Sequence, residues 1–352
     1  MSKRSKRVAD FHELERLYSR LECHEVSWQD TNDATRPGPP VVTNPQVEEG
    51  QTHMVGNAED DDEGEIVKGF TRDILRVAEK NIKVADFTVR DNHREGVPDD
   101  PESTRKIRLA FRRIRYQLNT MSTVDSSLGA EFLIGRLRDV GNPFGRLRDA
   151  EILESSVTEA LGDRADTTQG RQLLDIAAHA RRVEQQTTDH LLHSDAYREN
   201  LTEVTKFRRS LPSRHSTPET LRPLAERAMH VSWRALRRSA LRAKRHPSDT
   251  NLHQTRIAAK RTLYAAQAFS DVLGASAEEF VRSVDGLQKF LGKQHDLAMA
   301  SKWFAQVSKD YPALHGLARS LAREERRRAD KRSTRWTKYW KTLETQKAPK
   351  KW

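Results

Sequence analysis

Apolar residues return at three- and four-residue intervals along most of the chain, and that spacing predicts helices. The first series is Phe11, Leu14, Leu17, Tyr18 and Leu21, a short amphipathic helix that follows a basic tail within residues 1–26. Asp10, Glu13, Glu15 and Glu22 oppose an anionic membrane surface, so this helix is expected to dock on the main body or on a second copy. Between residues 27 and 65 the period lapses. Arg-Pro-Gly-Pro-Pro and Glu-Asp-Asp-Asp-Glu-Gly-Glu occur there, which predicts a disordered acidic linker. Helical spacing resumes with Ile66, Phe70, Ile74, Val77, Ile82, Ala85 and Val89, and a turn follows at Gly-Val-Pro-Asp-Asp-Pro, 96–101. The next helix is expected to start near Ser103 or Thr104, either of which suits an N-cap.

Beyond it, residues 128–161 place Phe132, Leu133, Leu137, Val140, Phe144 and Leu147 on a helical pattern. Pro143 lacks a backbone donor and predicts a kink or restart there. Residues 169–205 predict one long polar-rich helix and 212–218 a connector. A second series follows over 223–245, after Pro247-Ser248-Asp249, over 277–311 and over 313–343. The ordered body has no convincing run of alternating apolar residues, so the chain reads as all-α. Trp336, Tyr339 and Trp340 stand at i, i+3 and i+4, one helix face, and are expected in the core rather than stacking on bases.

The body repeats itself. Residues 105–118 read Arg-Lys-Ile-Arg-Leu-Ala-Phe-Arg-Arg-Ile-Arg-Tyr-Gln-Leu, and residues 253–266 read His-Gln-Thr-Arg-Ile-Ala-Ala-Lys-Arg-Thr-Leu-Tyr-Ala-Ala. At an offset of 148, Arg108 meets Arg256, Arg112 meets Lys260, Arg113 meets Arg261 and Tyr116 meets Tyr264. A second pair of motifs follows in the same order. Phe144-Gly-Arg-Leu-Arg-Asp aligns with Leu291-Gly-Lys-Gln-His-Asp at an offset of 147, placing Arg146 on Lys293, Arg148 on His295 and Asp149 on Asp296. Two motifs in one order predict two helical-bundle halves, about 66–210 and 219–345, related by a pseudo-two-fold axis.

Charge sharpens this picture. The formal net charge is +11, yet residues 1–65 hold 7 Lys or Arg against 15 Asp or Glu, leaving +19 on the rest. A body so basic favours polyanions, with nucleic acid, phosphate polymers and acidic surfaces all admissible. On a helical wheel Arg105, Arg108, Arg112 and Arg115 fall in one strip about 80° wide. Ile107, Phe111, Ile114 and Leu118 flank it on one side, Leu109 and Tyr116 on the other. Cations recessed between packed faces repel one another unless an anion sits among them. The acidic run at 59–63 is one candidate occupant, folding back as a weak competitor. The lone Cys23 excludes an intrachain disulfide, and no apolar run approaches a membrane span, so a soluble intracellular protein without a membrane role is expected.

The paired motifs resemble the CHAD family, the conserved-histidine α-helical domain, from about residue 66 to 343. Leu252-His-Gln-Thr-Arg-Ile-Ala-Ala-Lys-Arg with Tyr264, and Leu287-Gln-Lys-Phe-Leu-Gly-Lys-Gln-His-Asp-Leu, carry the resemblance most clearly. It implies two four-helix bundles side by side, a basic central groove that binds inorganic polyphosphate, and no catalysis. Association with polyphosphate granules and service to a polyphosphate-metabolising enzyme would follow from such binding. Residues 1–65 are too short and polar to form the β-barrel that sometimes accompanies these domains. Arg105 stands where the first motif would open on histidine, while His253 is kept, and Leu263 replaces the arginine matched by Arg115. The first half is therefore expected to form the more strongly charged wall.

Polyphosphate offers only charged oxygens, which arginine grips with two parallel donors. Arg108, Arg112 and Arg115 cover about 10 Å of one helix at 1.5 Å per residue. Arg256 and Lys260 are expected opposite, Arg113 and Arg261 nearer the rim, with Arg146, Arg148, His253, Lys293 and His295 completing the site. Asp149 and Asp296 are expected to orient neighbouring cations. His190 and His193 have a metal-compatible spacing but read as solvated or ion-paired, so neither metal nor cofactor is expected. No phosphate-binding glycine loop or Gly-x-Ser-x-Gly occurs, and paired carboxylates in an apolar setting are not evident, leaving catalysis without residues to perform it. A nucleic-acid-binding helical protein is the alternative that charge alone supports.

Overall fold

The computed structural model describes residues 58–94, 101–214 and 216–346. The amphipathic series at 11–21, the linker as far as residue 57 and residues 347–352 lie outside the described residues. The described chain is all-α, without a strand. It runs α1 (Ala58–Arg94), α2 (Pro101–Val124), α3 (Glu131–Leu161), α4 (Thr168–His193), α5 (Asp195–Ser210) and α6 (Pro218–Arg245). It continues through α7 (Asp249–Ala268), the single turn α8 (Ser270–Leu273), α9 (Ala275–Asp310), α10 (His315–Ser333) and α11 (Trp336–Thr345).

Side-chain caps set several starts. The Thr167 hydroxyl accepts the Gly170 N–H at 3.0 Å to open α4, and Ser248 accepts the Asn251 N–H at 3.1 Å to open α7. Thr217 and Thr220 form a reciprocal capping box at α6. Gly162 ends α3 at a φ of 51°, where a side chain would be strained. Gly170 is required by proximity, because a Cβ there would lie 2.0 Å from the Arg164 carbonyl oxygen.

Several expected boundaries move. Helix α1 begins at Ala58, so residues 58–65 are helix rather than linker. Asp62 pairs with Arg214 at 2.6 Å and Glu63 pairs with Arg227, which holds both acids on the connector and α6. Helix α2 starts at Pro101, leaving Ser103 and Thr104 buried inside it rather than capping it. Helix α3 passes through Pro143 without restarting, anchored on either side by buried Val140, Phe144 and Leu147. The expected helix over 169–205 is two, because the Ser194 hydroxyl accepts the Tyr197 N–H at 3.2 Å and starts α5. Helix α6 starts before Pro223 and runs through it, and the final series divides into α10 and α11.

Packing joins the halves. In the first, α1 lies on α2, α2 on α3 and α3 on α4; in the second, α6 lies on α7, α7 on α9 and α9 on α10. Between halves α2 meets α7, α3 meets α9 and α1 meets α6. Neighbour order thus recurs, as an internal repeat requires, and a two-fold axis relating the halves is an expectation compatible with that order. One apolar core runs through both halves, with Phe70 stacked on Phe269 at 4.9 Å between ring centres, and Tyr116 of the first half stacks on Tyr264 of the second at 4.9 Å. A second core fills the far ends of α3, α4, α9 and α10. Trp336 and Trp340 are buried, and Trp340 stacks on Trp233 at 5.5 Å. Truncating either to alanine should cost about 3–5 kcal/mol. Tyr339, by contrast, is 41% exposed and rests on Phe290.

A basic groove as the candidate functional site

Four helices that meet at the junction of the halves supply the expected site residues. Helix α2 brings Arg108, Arg112, Arg113 and Arg115, and α3 brings Arg146, Arg148 and Asp149. Helix α7 brings His253, Arg256, Lys260 and Arg261, and α9 brings Lys293 and His295. The strip on α2 is set by its buried side. Ile107, Phe111, Ile114, Tyr116 and Leu118 enter the core, which turns Arg108 and Arg112 into a half-buried position between packed surfaces. Leu109 does not complete the second apolar flank, being 38% exposed, and Arg105 is exposed as well.

Asp149 marks the centre. The basic side chains that bear most on its carboxylate are His295 from α9, Arg256 and Lys260 from α7, and Arg112 from α2. Desolvation nevertheless raises its pKa, although the residue remains open to water. A side chain that water reaches while protein surrounds it on most sides lies in a concavity. Arg108 shows the same crowding from the cationic side. Desolvation, with Arg112 and Arg148 nearby, pushes its guanidinium down to about 10. The groove is a region where positive charges are held together at a cost that an anion would relieve.

Asp149 forms no ion pair or hydrogen bond among the described residues, so it does not grip the arginines it was expected to orient. It acts on them through its field. Asp296 does lie beside His295, 3.7 Å from its Nδ1. The His295 ring stands 4.8 Å from that of His253, whose Nδ1 is 3.4 Å from Arg256 Nη2. Two motif ends separated in sequence are therefore brought into contact.

Other expected residues are engaged elsewhere. Arg146 pairs with Glu184 of α4 at 3.0 Å, Lys293 with Glu159 of α3 at 2.8 Å, and Arg148 with Glu151 at 2.9 Å. Arg148 still contributes to the field at Arg108, whereas Arg146 and Lys293 are tied toward neighbouring helices. Arg113 is exposed, Arg115 lies 5.4 Å from the Tyr116 ring centre, and Arg261 is half-buried. None of these three is among the charges that act most on Asp149. Sequence reasoning missed Glu151, which acts on Arg108, and the stack of Tyr116 on Tyr264. The tyrosines' equivalence in the repeat was the available signal. No cluster able to hold a metal ion occurs among the described residues.

A family model described as the CHAD domain matches residues 87–305. The fold is similar to the crystal structure of the CHAD domain from the plant Ricinus communis, at 19% identity and a TM-score of 0.63, covering 79% of this chain and 92% of that one. It is also similar to PptA from Streptomyces chartreusis, at 18% identity and a TM-score of 0.61, covering 79% of this chain and 99% of that one. No curated protein is matched. Among the described residues no helix is long and apolar enough to cross a membrane. With the family match spanning more than half of the chain, the protein belongs to the CHAD domain family, a family associated with polyphosphate binding.

Proposed function

We propose that the groove between α2, α3, α7 and α9 binds inorganic polyphosphate without transforming it. The observation that carries this reading is the convergence of Arg112, Arg256, Lys260 and His295 on the single carboxylate of Asp149. Those basic side chains come from three helices and both halves, and a flexible polyanion threaded between them can contact all of them at once. Arginine suits a ligand whose only recognisable feature is repeated phosphate oxygen. Retention on polyphosphate granules, or service to an enzyme that makes or consumes the polymer, would require no chemistry beyond this binding.

Reversing both walls with Arg112→Glu and Lys260→Glu tests the reading. Each lost charge-assisted contact is worth about 1.5–3 kcal/mol. The pair should therefore weaken binding by at least about a hundredfold. Neither residue is in the apolar core, so the helical circular dichroism should be unchanged. Undiminished affinity in a folded double variant would place the polymer elsewhere.

A further inference from the structure

A second cationic surface lies on α6, and the groove does not use it. Between Glu226 and Asp249 the sequence contains no acid. Arg234, Arg237, Arg238, Arg242, Lys244 and Arg245 are all exposed, and none forms an ion pair among the described residues. Some surface arginines on other helices do find carboxylates, as in Arg181 with Glu154, Arg164 with Glu324 and Arg326 with Asp249. The opposite side of α6 along this stretch is fixed by buried Leu236, Ala240 and Ala243, which turns the cations outward.

Their geometry restricts the occupant. At 100° per residue the six cations form a band about 160° wide, and from Arg234 to Arg245 it runs about 16 Å along the helix. The edges of the band are separated by roughly a helix diameter with side chains, about 10–12 Å. The major groove of B-form DNA is about 12 Å wide and admits one α-helix, with phosphates along both rims. Five of the six cations are arginines, whose forked donors suit phosphate. Aromatic residues that could stack on unpaired bases are missing from the exposed band, since Trp233 is half-buried against Trp340. Lipid is a poorer fit, because Val231 is the one large apolar side chain exposed on this helix. A convex rod also cannot enclose a thin flexible chain as a groove can.

We propose that the solvent face of α6 docks on B-form duplex DNA, held through its phosphates without reading base sequence. This does not rest on polyphosphate as the ligand of the groove. The test compares the wild-type protein with Arg234→Ala/Arg238→Ala/Arg245→Ala and with Arg112→Glu/Lys260→Glu, each titrated with short labelled duplex DNA across a salt series. The wild type should bind DNA, and the α6 variant should lose at least tenfold in affinity. Its slope of log affinity against log salt should be shallower by about 2–3, close to one for each contact removed. Polyphosphate affinity and circular dichroism should be unchanged in that variant, and the groove variant should retain DNA binding. Equal DNA affinity in wild type and α6 variant would overturn the proposal, as would DNA binding lost only in the groove variant. Duplex RNA binding as tightly as DNA would also contradict it, because the A-form major groove is too narrow for a helix. Wild-type binding to phosphatidylserine vesicles, but not to DNA, would assign the face to lipid instead.

Discussion

Replacing Asp149 with asparagine should tighten polyphosphate binding, which is the opposite of what a positioning carboxylate would do. The residue stands among Arg112, Arg256, Lys260 and His295 without forming an ion pair or hydrogen bond among the described residues. It therefore competes with the ligand for the field of those cations rather than holding them in place. For a phosphate roughly 6–8 Å away at an effective dielectric of about 20, the repulsion is about 2–3 kcal/mol. Physiological salt, with a Debye length of about 8 Å, reduces this to about 1 kcal/mol in a groove open to water. The expected gain is roughly fivefold in affinity. Because desolvation raises the Asp149 pKa, the carboxylate takes up its proton at a higher pH than an ordinary aspartate. The wild type should thus gain affinity as pH falls through that raised value, and the two proteins should converge. Isothermal titration with polyphosphate at several pH values measures the ratio directly. Weaker binding by Asp149→Asn, with its fold intact, would refute the reasoning and restore the orienting role.

Two further predictions concern stability. Burial raises the Glu79 pKa, but bonds from Thr205, Lys83 and Arg208 outweigh it and lower the pKa from 4.5 to about 2. A depressed carboxylate pKa contributes stability above the unfolded value that is lost as pH falls from about 4.5 to about 2. After discounting for solvent screening that loss should be about 1–2 kcal/mol, and an acid titration of Glu79→Gln should lack it. Gly145 lies inside α3, and a Cβ added there meets nothing within 4 Å. Gly145→Ala should therefore stabilise the protein by about 0.5–1 kcal/mol, raising Tm by about 2 °C; a lower Tm would show that the space is needed.

The all-α architecture and the pairing of α2 with α7 were legible because the same pattern occurs twice. Buried Ile107, Phe111 and Ile114 fixed how α2 lies, so Arg108 and Arg112 were correctly found recessed. What sequence could not supply was distant pairing. The acidic run before residue 66 reads as linker until Arg214 and Arg227 are seen to hold Asp62 and Glu63. Arg146 and Lys293 match in the repeat, yet Glu184 and Glu159 claim them from other helices. At Pro143 and Pro223 a local rule yielded to packing, since buried residues on either side keep α3 and α6 continuous. Ser194 is the reverse case, where one hydroxyl divides a helix that periodicity reads as single.

The most direct test of the groove is a competition titration at fixed salt. Long-chain polyphosphate, short-chain polyphosphate, RNA and duplex DNA would compete for a polyphosphate probe bound to the protein, each compared at equal phosphate concentration. A polymer enclosed between Arg112 on α2 and Arg256 with Lys260 on α7 predicts displacement by polyphosphate, with RNA and duplex DNA leaving the probe bound. Displacement by RNA at the same phosphate concentration would contradict the account, reducing the groove to a site for any polyanion.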